Sequence, residues 1–169
     1  PKAFDEGFKE YSQKWAFKHP SPYDFFRTME DGSGEDLAWF WRGWMYSTYA
    51  NDQAIAEVKS QKAADLVGDE KRGKNYWRVT IENKGGMLMP VVLEVTYDDG
   101  SKERMKLPVD IWRYNELKFE KGFFSDKNVS KVVLDPDEVL SDVDTKNNTW
   151  DASKLEQPKP QEAPGTSGN

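Results

Sequence analysis

The sequence has no cysteine and only one histidine, and both shortages restrict the chemistry that it can support. Without cysteine there is no disulfide, no thiolate nucleophile and no cysteine-type zinc site. His19 alone cannot supply the two-histidine, one-glutamate ligand set of a catalytic zinc site. Because His19 stands directly before Pro20, we expect it just past the C-terminal end of a helix, where partial positive charge is favourable. We therefore predict no cofactor for this chain.

A basic excess and long apolar runs are also missing. Acidic residues outnumber basic ones by 30 to 24, the net charge is −6 and the pI is near 5.0. No basic stripe is present to neutralise phosphates, which argues against a nucleic-acid partner. No apolar stretch reaches the roughly 18 residues of a membrane-spanning helix, and the first residues lack signal-peptide character. What remains fits one domain, or one domain with an appendage.

No motif for nucleophilic catalysis or phosphate binding is present. Residues 32–34 read Gly-Ser-Gly, but no strand leads into them as a nucleophile elbow requires. Residues 68–75 end in a Gly-Lys pair followed by Asn75, yet their interior is charged and no strand-and-helix frame surrounds them. We predict a helix-to-helix turn at the first position and a mobile polar loop at the second.

The acidic run at residues 135–144 invites comparison with a calcium-binding loop. An EF-hand loop needs alternating acidic residues, a central glycine and a terminal glutamate. Asp142, Asp144 and Asn147 supply only a fragment of that pattern, because the glycine is missing. We predict a turn-rich segment that Asx side chains stabilise.

Aromatic residues are abundant and concentrated near the N-terminus. Fourteen of the 23 lie in the first 49 positions, on three segments with helical periodicity. Each buried ring removes about 150–250 Å² from water. The fourteen rings together therefore offer more apolar surface than three short helices need to cover one another. We predict a docking surface there, with possible self-association through the same face. Its candidate residues are Phe4, Phe8, Tyr11, Trp15, Trp39, Trp41 and Trp44.

The first half of the chain predicts three helices. The first covers residues 4–18 and stops before Pro20. The second follows Ser21 as its N-cap, has Pro22 in its first turn and ends near Gly32. The third extends from about residue 35 to residue 46.

After Tyr49 the apolar period falls from about 3.6 to about 2, which indicates strands. Trp77, Val79 and Ile81 alternate with polar residues, and an Asp-Gly pair at 99–100 predicts a hairpin. The predicted strands are residues 54–58, 77–82, 91–97, 102–109, 116–123 and 129–134. Their spacing indicates an antiparallel β-sandwich of about six to seven strands in an α+β fold. We divide the chain into a helical part (1–50), the sandwich (51–150) and a flexible polar tail (151–169).

Three segments carry a resemblance to a known family. They read FDEGFKEY at residues 4–11, WAFKHPSPYDFFRTME at 15–30 and GEDLAWFWRGW at 34–44. These segments resemble a stretch of the zinc aminopeptidases, the gluzincins of the aminopeptidase N and leukotriene hydrolase type. In that family the helical run closes the C-terminal end of the catalytic domain, and a β-sandwich often follows. Residues 83–85, 90–93, 99–100, 112 and 132–136 are similar to the bacterial form of that sandwich.

The same resemblance implies that this chain is not an enzyme by itself. The family's His-Glu-x-x-His helix, its downstream glutamate ligand and its catalytic tyrosine all precede this stretch, and none is in the sequence. We carry over no catalytic or metal residue. The implied protein is the C-terminal, structural portion of a metallopeptidase, with zinc in the parent enzyme only and the upstream catalytic domain as partner. The resemblance also suggests a cell-envelope or secreted location.

Two alternatives stay open at this point. The chain could be a free-standing module that binds a peptide or a carbohydrate through its aromatic residues, and a ligand that quenches Trp39, Trp41 and Trp44 would indicate this. It could also be a small enzyme with paired carboxylates, although nothing selects a pair among its 30 acidic residues.

Overall fold

The computed structural model describes residues 2–67 and 73–154, which form a helical unit followed by two β-sheets. Helix α1 spans Lys2–Trp15, α2 spans Pro22–Ser33, α3 spans Ala38–Tyr46, and the short α4 spans Ala63–Val67. The predicted order, with helices first and strands after them, is confirmed. Most of the predicted polar loop (68–72) and of the predicted tail (155–169) lies outside the described residues.

Helix α2 begins where the sequence predicts, at a capping box. The Ser21 hydroxyl accepts a hydrogen bond from the Asp24 amide at 3.3 Å, and the Asp24 carboxylate accepts one from the Ser21 amide at 2.9 Å. Each side chain satisfies a backbone donor that the first helical turn leaves free. The helix ends at Gly34, whose φ of 71° suits a residue without a Cβ.

The other two helices are shorter than predicted. Helix α1 ends at Trp15 because Phe17 adopts a left-handed φ of 60° and the Lys18 amide donates back to the Trp15 carbonyl. This tight turn ends the helix before Pro20 can. Helix α3 starts only at Ala38, since the Leu37 amide donates to the Glu30 carboxylate at 3.2 Å instead of entering a helical turn.

Two glycines let α1 and α2 pack closely. A Cβ on Gly7 would lie 2.9 Å from the Met29 carbonyl oxygen, and a Cβ on Gly32 would lie 2.8 Å from the Gly7 Cα. Neither position has room for a methyl group. Met29 is fully buried beside this contact and forms the interior of the helical unit together with Trp41.

Within residues 2–67 and 73–154, seven antiparallel strands form two sheets with the orders β1-β2-β5 and β4-β3-β6-β7. The strands are β1 Gln53–Lys62, β2 Asn75–Asn83, β3 Val91–Tyr97, β4 Lys102–Leu107, β5 Lys118–Ser125, β6 Val129–Leu134 and β7 Thr149–Asp151. The sandwich prediction is confirmed. Its missed strand, β7, has three residues, too few for an alternating pattern to be recognised.

One hydrophobic core lies between the sheets. Val79, Ile81, Leu93 and Val95 contribute fully buried side chains, and Trp112 reaches the core from the 3₁₀ helix Val109–Trp112. The alternation in β2 predicts the inward positions of Val79 and Ile81. The cluster contains no residue of α1, α2 or α3, so the sandwich and the helical unit have separate interiors. No helix within residues 2–67 and 73–154 combines the length and the apolar character needed to cross a bilayer.

Candidate functional site

The ring spacing in α1 produces the single aromatic face that the sequence predicts. Phe4 and Phe8 stack with ring centroids 5.8 Å apart, and Phe8 lies 6.3 Å from Tyr11. Steps of four and three residues bring side chains to the same side of a helix, so this row follows directly from the sequence.

Helices α2 and α3 extend the row across the helical unit. Tyr11 meets Phe25 edge-on at 4.8 Å, and Phe25 lies 5.7 Å from Trp41. Phe26 stacks on Trp41 at 4.6 Å. Offset and edge-to-face pairs of this kind add about 0.5–1.5 kcal/mol each beyond their area burial. Trp41, at 7% exposed, therefore lies at the centre of the helical unit.

Trp15 ties the end of α1 to α2 through a polar contact. Its indole Nε1 donates to the Thr28 hydroxyl at 3.1 Å, and Thr28 donates in turn to the Asp24 carbonyl. The ring is half-buried and Lys18 lies over it with its ammonium 5.8 Å from the centroid. This candidate residue is thus mainly engaged within the unit.

The outer part of the row remains open to solvent. Phe4 is 57% exposed, Phe8 47% and Trp44 42%, and Met45 next to Trp44 is 56% exposed. Large apolar side chains that are exposed singly are normal, but contiguous ones mark contact surfaces.

An apolar groove opens between α1 and the other two helices. Its volume is about 400 Å³ and almost all of its lining is apolar, with Phe4 at one wall and Trp41 at its floor. The lining residues are Ala3, Phe4, Phe25, Met29, Ser33, Glu35, Leu37, Phe40, Trp41 and Met45. We call this feature, together with the exposed face of Phe4 and Phe8, the helical groove.

Trp39 belongs to a different place, the cleft between α3 and the sandwich. Its indole donates to the Asp36 carbonyl at 3.1 Å. Two adjacent hollows of about 220 and 290 Å³ share Trp39, Arg42 and Glu116 in their walls, and Arg113 lines the second. This junction cleft has a mixed polar and apolar lining with charges of both signs, unlike the helical groove.

The predicted site residues are therefore distributed over three environments. Phe4 and Trp41 line the helical groove, Trp39 lines the junction cleft, and Trp44 is half-exposed at 5.9 Å from Phe40. Five large apolar residues that line the groove are not among the candidates that the sequence predicts, namely Phe25, Met29, Leu37, Phe40 and Met45. The spacing of four between Phe25 and Met29 places them on one face, but no local signal shows that the three helices leave a gap between them.

The titratable groups with shifted pKa values lie outside the helical groove and the junction cleft. Hydrogen bonds from Ser21 lower the pKa of Asp24, and those from Lys102 and Arg104 lower the pKa of Glu94. The pKa of Asp99 is lowered mainly by its hydrogen bond with Lys127. Burial, aided by a hydrogen bond to Glu103, raises the pKa of Tyr97 to about 12. Hydrogen bonds to Asp137 and Glu94 raise the pKa of Arg104. These five groups serve helix caps, hairpins or strand contacts, and none of them lines the helical groove or the junction cleft.

The family of this chain stays a prediction after comparison with known proteins. No protein-family model matches the sequence, and neither a curated protein nor a solved structure does. In the part of the chain that the structure describes, no three histidine or carboxylate side chains form a group that could hold a metal ion.

Proposed function

We propose that this chain is the non-catalytic C-terminal region of a zinc aminopeptidase-like protein. Its helical unit would complete the helical wall of the catalytic domain, and its sandwich would support that wall. The observation that carries the proposal is the helical groove, an apolar surface that three short helices leave uncovered in a unit with its own tightly packed interior.

The exposed rings give this surface a reason to be covered. Full burial of a phenylalanine side chain is worth about 1.5–3 kcal/mol. Phe4 and Phe8 stay about half exposed, so a partner that covers them and fills the groove gains a substantial part of that energy from each ring. An apolar helix of the upstream domain is a suitable occupant, since the groove offers almost no hydrogen-bonding group.

The chemistry of the chain supports a structural role. The zinc, the water that attacks the scissile carbonyl and the glutamate that serves as general base would all belong to the parent enzyme. The one histidine, His19, is exposed in the turn between α1 and α2. Zinc in this protein would therefore be held by residues that this sequence does not contain.

The coding sequence upstream of Pro1 is the first test. We expect it to encode a His-Glu-x-x-His helix followed by a glutamate ligand. Upstream sequence without either would contradict the proposal.

The docking role can be tested in the longer polypeptide. Phe4→Asp and Phe8→Asp together should lower its melting temperature and expose the upstream domain to protease, because each places a charge in the apolar contact. Tyr114→Asp is the matched control, since it makes the same kind of change at a ring on the sandwich that is 96% exposed. Equal effects of the double variant and the control would contradict docking through the helical groove.

The isolated chain offers a separate test of catalysis. We expect no cleavage of an alanyl reporter and no stoichiometric zinc. Cleavage that a chelator abolishes would overturn the non-catalytic assignment.

The junction cleft supports a second candidate, a module that binds a peptide or a carbohydrate. Trp39 offers a ring, while Arg42 and Glu116 offer charges of both signs, a combination typical of polar ligand sites. Binding there should quench tryptophan fluorescence in the wild-type chain and not in Trp39→Phe. Quenching that persists in Trp39→Phe, or none at all, would exclude this cleft.

A further inference from the structure

Three buried amide oxygens are left without partners at one end of the sandwich. The Oδ1 atoms of Asn51, Asn147 and Asn148 are inaccessible to solvent and accept no hydrogen bond from any group that the structure describes. Asn51 is 3% exposed and Asn148 is 4% exposed. A buried acceptor without a donor destabilises the folded state, so three of them in one region need an explanation.

Asn51 and Asn147 lie where residues 140–148 fold over the start of β1, and Asn148 follows Asn147 directly in the chain. The Asn51 carbonyl accepts from the Val143 amide at 3.0 Å, and the Asn51 Nδ2 donates to the Leu140 carbonyl at 2.8 Å. Asn147 also joins these two segments, because its Nδ2 donates to the Asp52 carboxylate at 3.0 Å. Asn148 is its chain neighbour, and its carbonyl accepts from the Leu134 amide.

Rotation of the side-chain amides of Asn51 and Asn147 does not remove the problem. Asn51 would lose its donor to Leu140, and Asn147 would turn an oxygen towards the carboxylates of Asp52 and Asp144, which now accept from its Nδ2. The hydrogen bonds of these two residues therefore fix their oxygens in the unpaired positions.

Several carboxylates lie in the same region as these asparagines. Asp142 accepts from the Gln53 and Asp144 amides, both at 3.0 Å, and Asp144 accepts from the Lys146 amide at 3.2 Å. Asp52 and Asp144 both accept from the Asn147 Nδ2, at 3.0 and 3.4 Å. These carboxylates do not form a metal-binding group by themselves, so any ion here depends on the amide oxygens.

We propose that this end of the sandwich, where residues 140–148 cover the start of β1, binds one calcium-like cation. The amide oxygens of Asn51, Asn147 and Asn148 are among its ligands. Asp52, Asp142 and Asp144 supply the compensating negative charge. The unpaired groups are all acceptors, which a cation satisfies together, whereas one water molecule donates only two hydrogen bonds. Calcium fits best because it takes several oxygen ligands in irregular geometry, including neutral amide oxygens, while magnesium demands a near-ideal octahedron. Zinc prefers nitrogen and sulfur ligands, and none contributes here.

The test is the thermal unfolding of the full chain after treatment with EDTA, with and without about 1 mM calcium, a concentration at which weak sites fill. We expect the melting temperature to rise with the logarithm of the calcium concentration, as for a ligand that binds only the folded state. Magnesium at the same concentration should produce a much smaller rise. If calcium does not raise the melting temperature, this region holds water only. If calcium and magnesium raise the melting temperature equally, the cause is general charge screening. Either result overturns the proposal.

Matched variants locate the site. Asp144→Asn should weaken the apparent calcium affinity at least about tenfold, because it removes charge from the coordinating region. Asp137→Asn makes the same change in the same acidic run, but Asp137 pairs with Arg104 at 2.7 Å, and its calcium response should match the wild type. A normal response in Asp144→Asn would overturn the proposal. Should that variant not fold, terbium luminescence in the wild type is decisive. We expect emission sensitised by Trp150, two residues along the chain from Asn148, which calcium abolishes by displacing terbium. The absence of this emission excludes the site.

Discussion

At the scale of single residues, the contact between Gly7 and α2 is the most demanding one in the helical unit. In an exposed helix, replacing glycine by alanine stabilises by about 0.5–1 kcal/mol. Here the new methyl group would press against the Met29 carbonyl, a backbone atom that cannot rotate away. We expect Gly7→Ala to reduce the free energy of unfolding by about 1–3 kcal/mol, as overpacking does elsewhere.

Urea unfolding followed by circular dichroism measures this change. Gln13→Ala, on the exposed side of α1, is the control and should shift stability by less than about 0.5 kcal/mol. If Gly7→Ala stabilised the chain instead, the two helices would have to lie farther apart than described.

Tyr97 predicts how stability depends on alkaline pH. Burial, and next the hydrogen bond to Glu103, raise its pKa from 10.0 to about 12, so the folded chain holds this proton more tightly than the unfolded chain does. Its contribution is complete below pH 10 and is lost as the pH rises from there to about 12. Tyr97→Phe should flatten this part of the stability curve in chemical unfolding experiments. Tyr114→Phe, at an exposed ring, should leave the curve unchanged, and a wild-type-like slope in Tyr97→Phe would contradict the assignment.

At the scale of elements, the capping box fixes where α2 begins. Ser21 and Asp24 satisfy each other's backbone amides, and Pro22 is preorganised for the first turn. We expect Ser21→Ala to reduce the free energy of unfolding by about 1 kcal/mol. Ser12→Ala, within α1, is the control and should be neutral or slightly stabilising because alanine favours helix interiors. Equal losses in both variants would mean that the cap contributes nothing.

The elements also show which features a single sequence reveals. The aromatic face of α1 and the inward residues of β2 follow from local periodicity, and both were predicted. The end of α1 depends on the left-handed Phe17, a conformation that phenylalanine seldom adopts, so a pattern that treats Phe17 as helical extends the helix too far. The start of α3 depends on Glu30, seven residues away from the Leu37 amide that it binds.

The candidate sites follow the same rule. The rings of the helical groove could be predicted, but the groove itself exists only because of how α1, α2 and α3 are placed. Hydrogen bonds from Asn51 to Leu140 and from Asn147 to Asp52 join positions far apart in the sequence. The acidic run drew attention to Asn147 but gave no reason to include Asn51. Contacts between distant segments carry the parts of the site that sequence reasoning missed.

At the scale of the whole molecule, the separate interiors of the two units suggest separate unfolding. The core of the sandwich contains no residue of α1 to α3. Met29 is buried only within the helical unit, and Gly43 of α3 approaches the sandwich at Met87. Because the helical unit is small and leaves an open groove, we expect it to unfold at a lower temperature than the sandwich.

Two core truncations test this expectation. Met29→Ala should cost about 2–5 kcal/mol and Trp77→Ala about 3–5 kcal/mol, as is usual for large buried side chains. In calorimetry of the full chain, Met29→Ala should lower only the first transition, which far-ultraviolet dichroism assigns to loss of helix. Trp77→Ala, in the core of the sandwich, should lower only the second. A single transition that both variants shift would mean that the contact between Gly43 of α3 and Met87 couples the two units. In that case a partner that covers the helical groove would stabilise the sandwich as well.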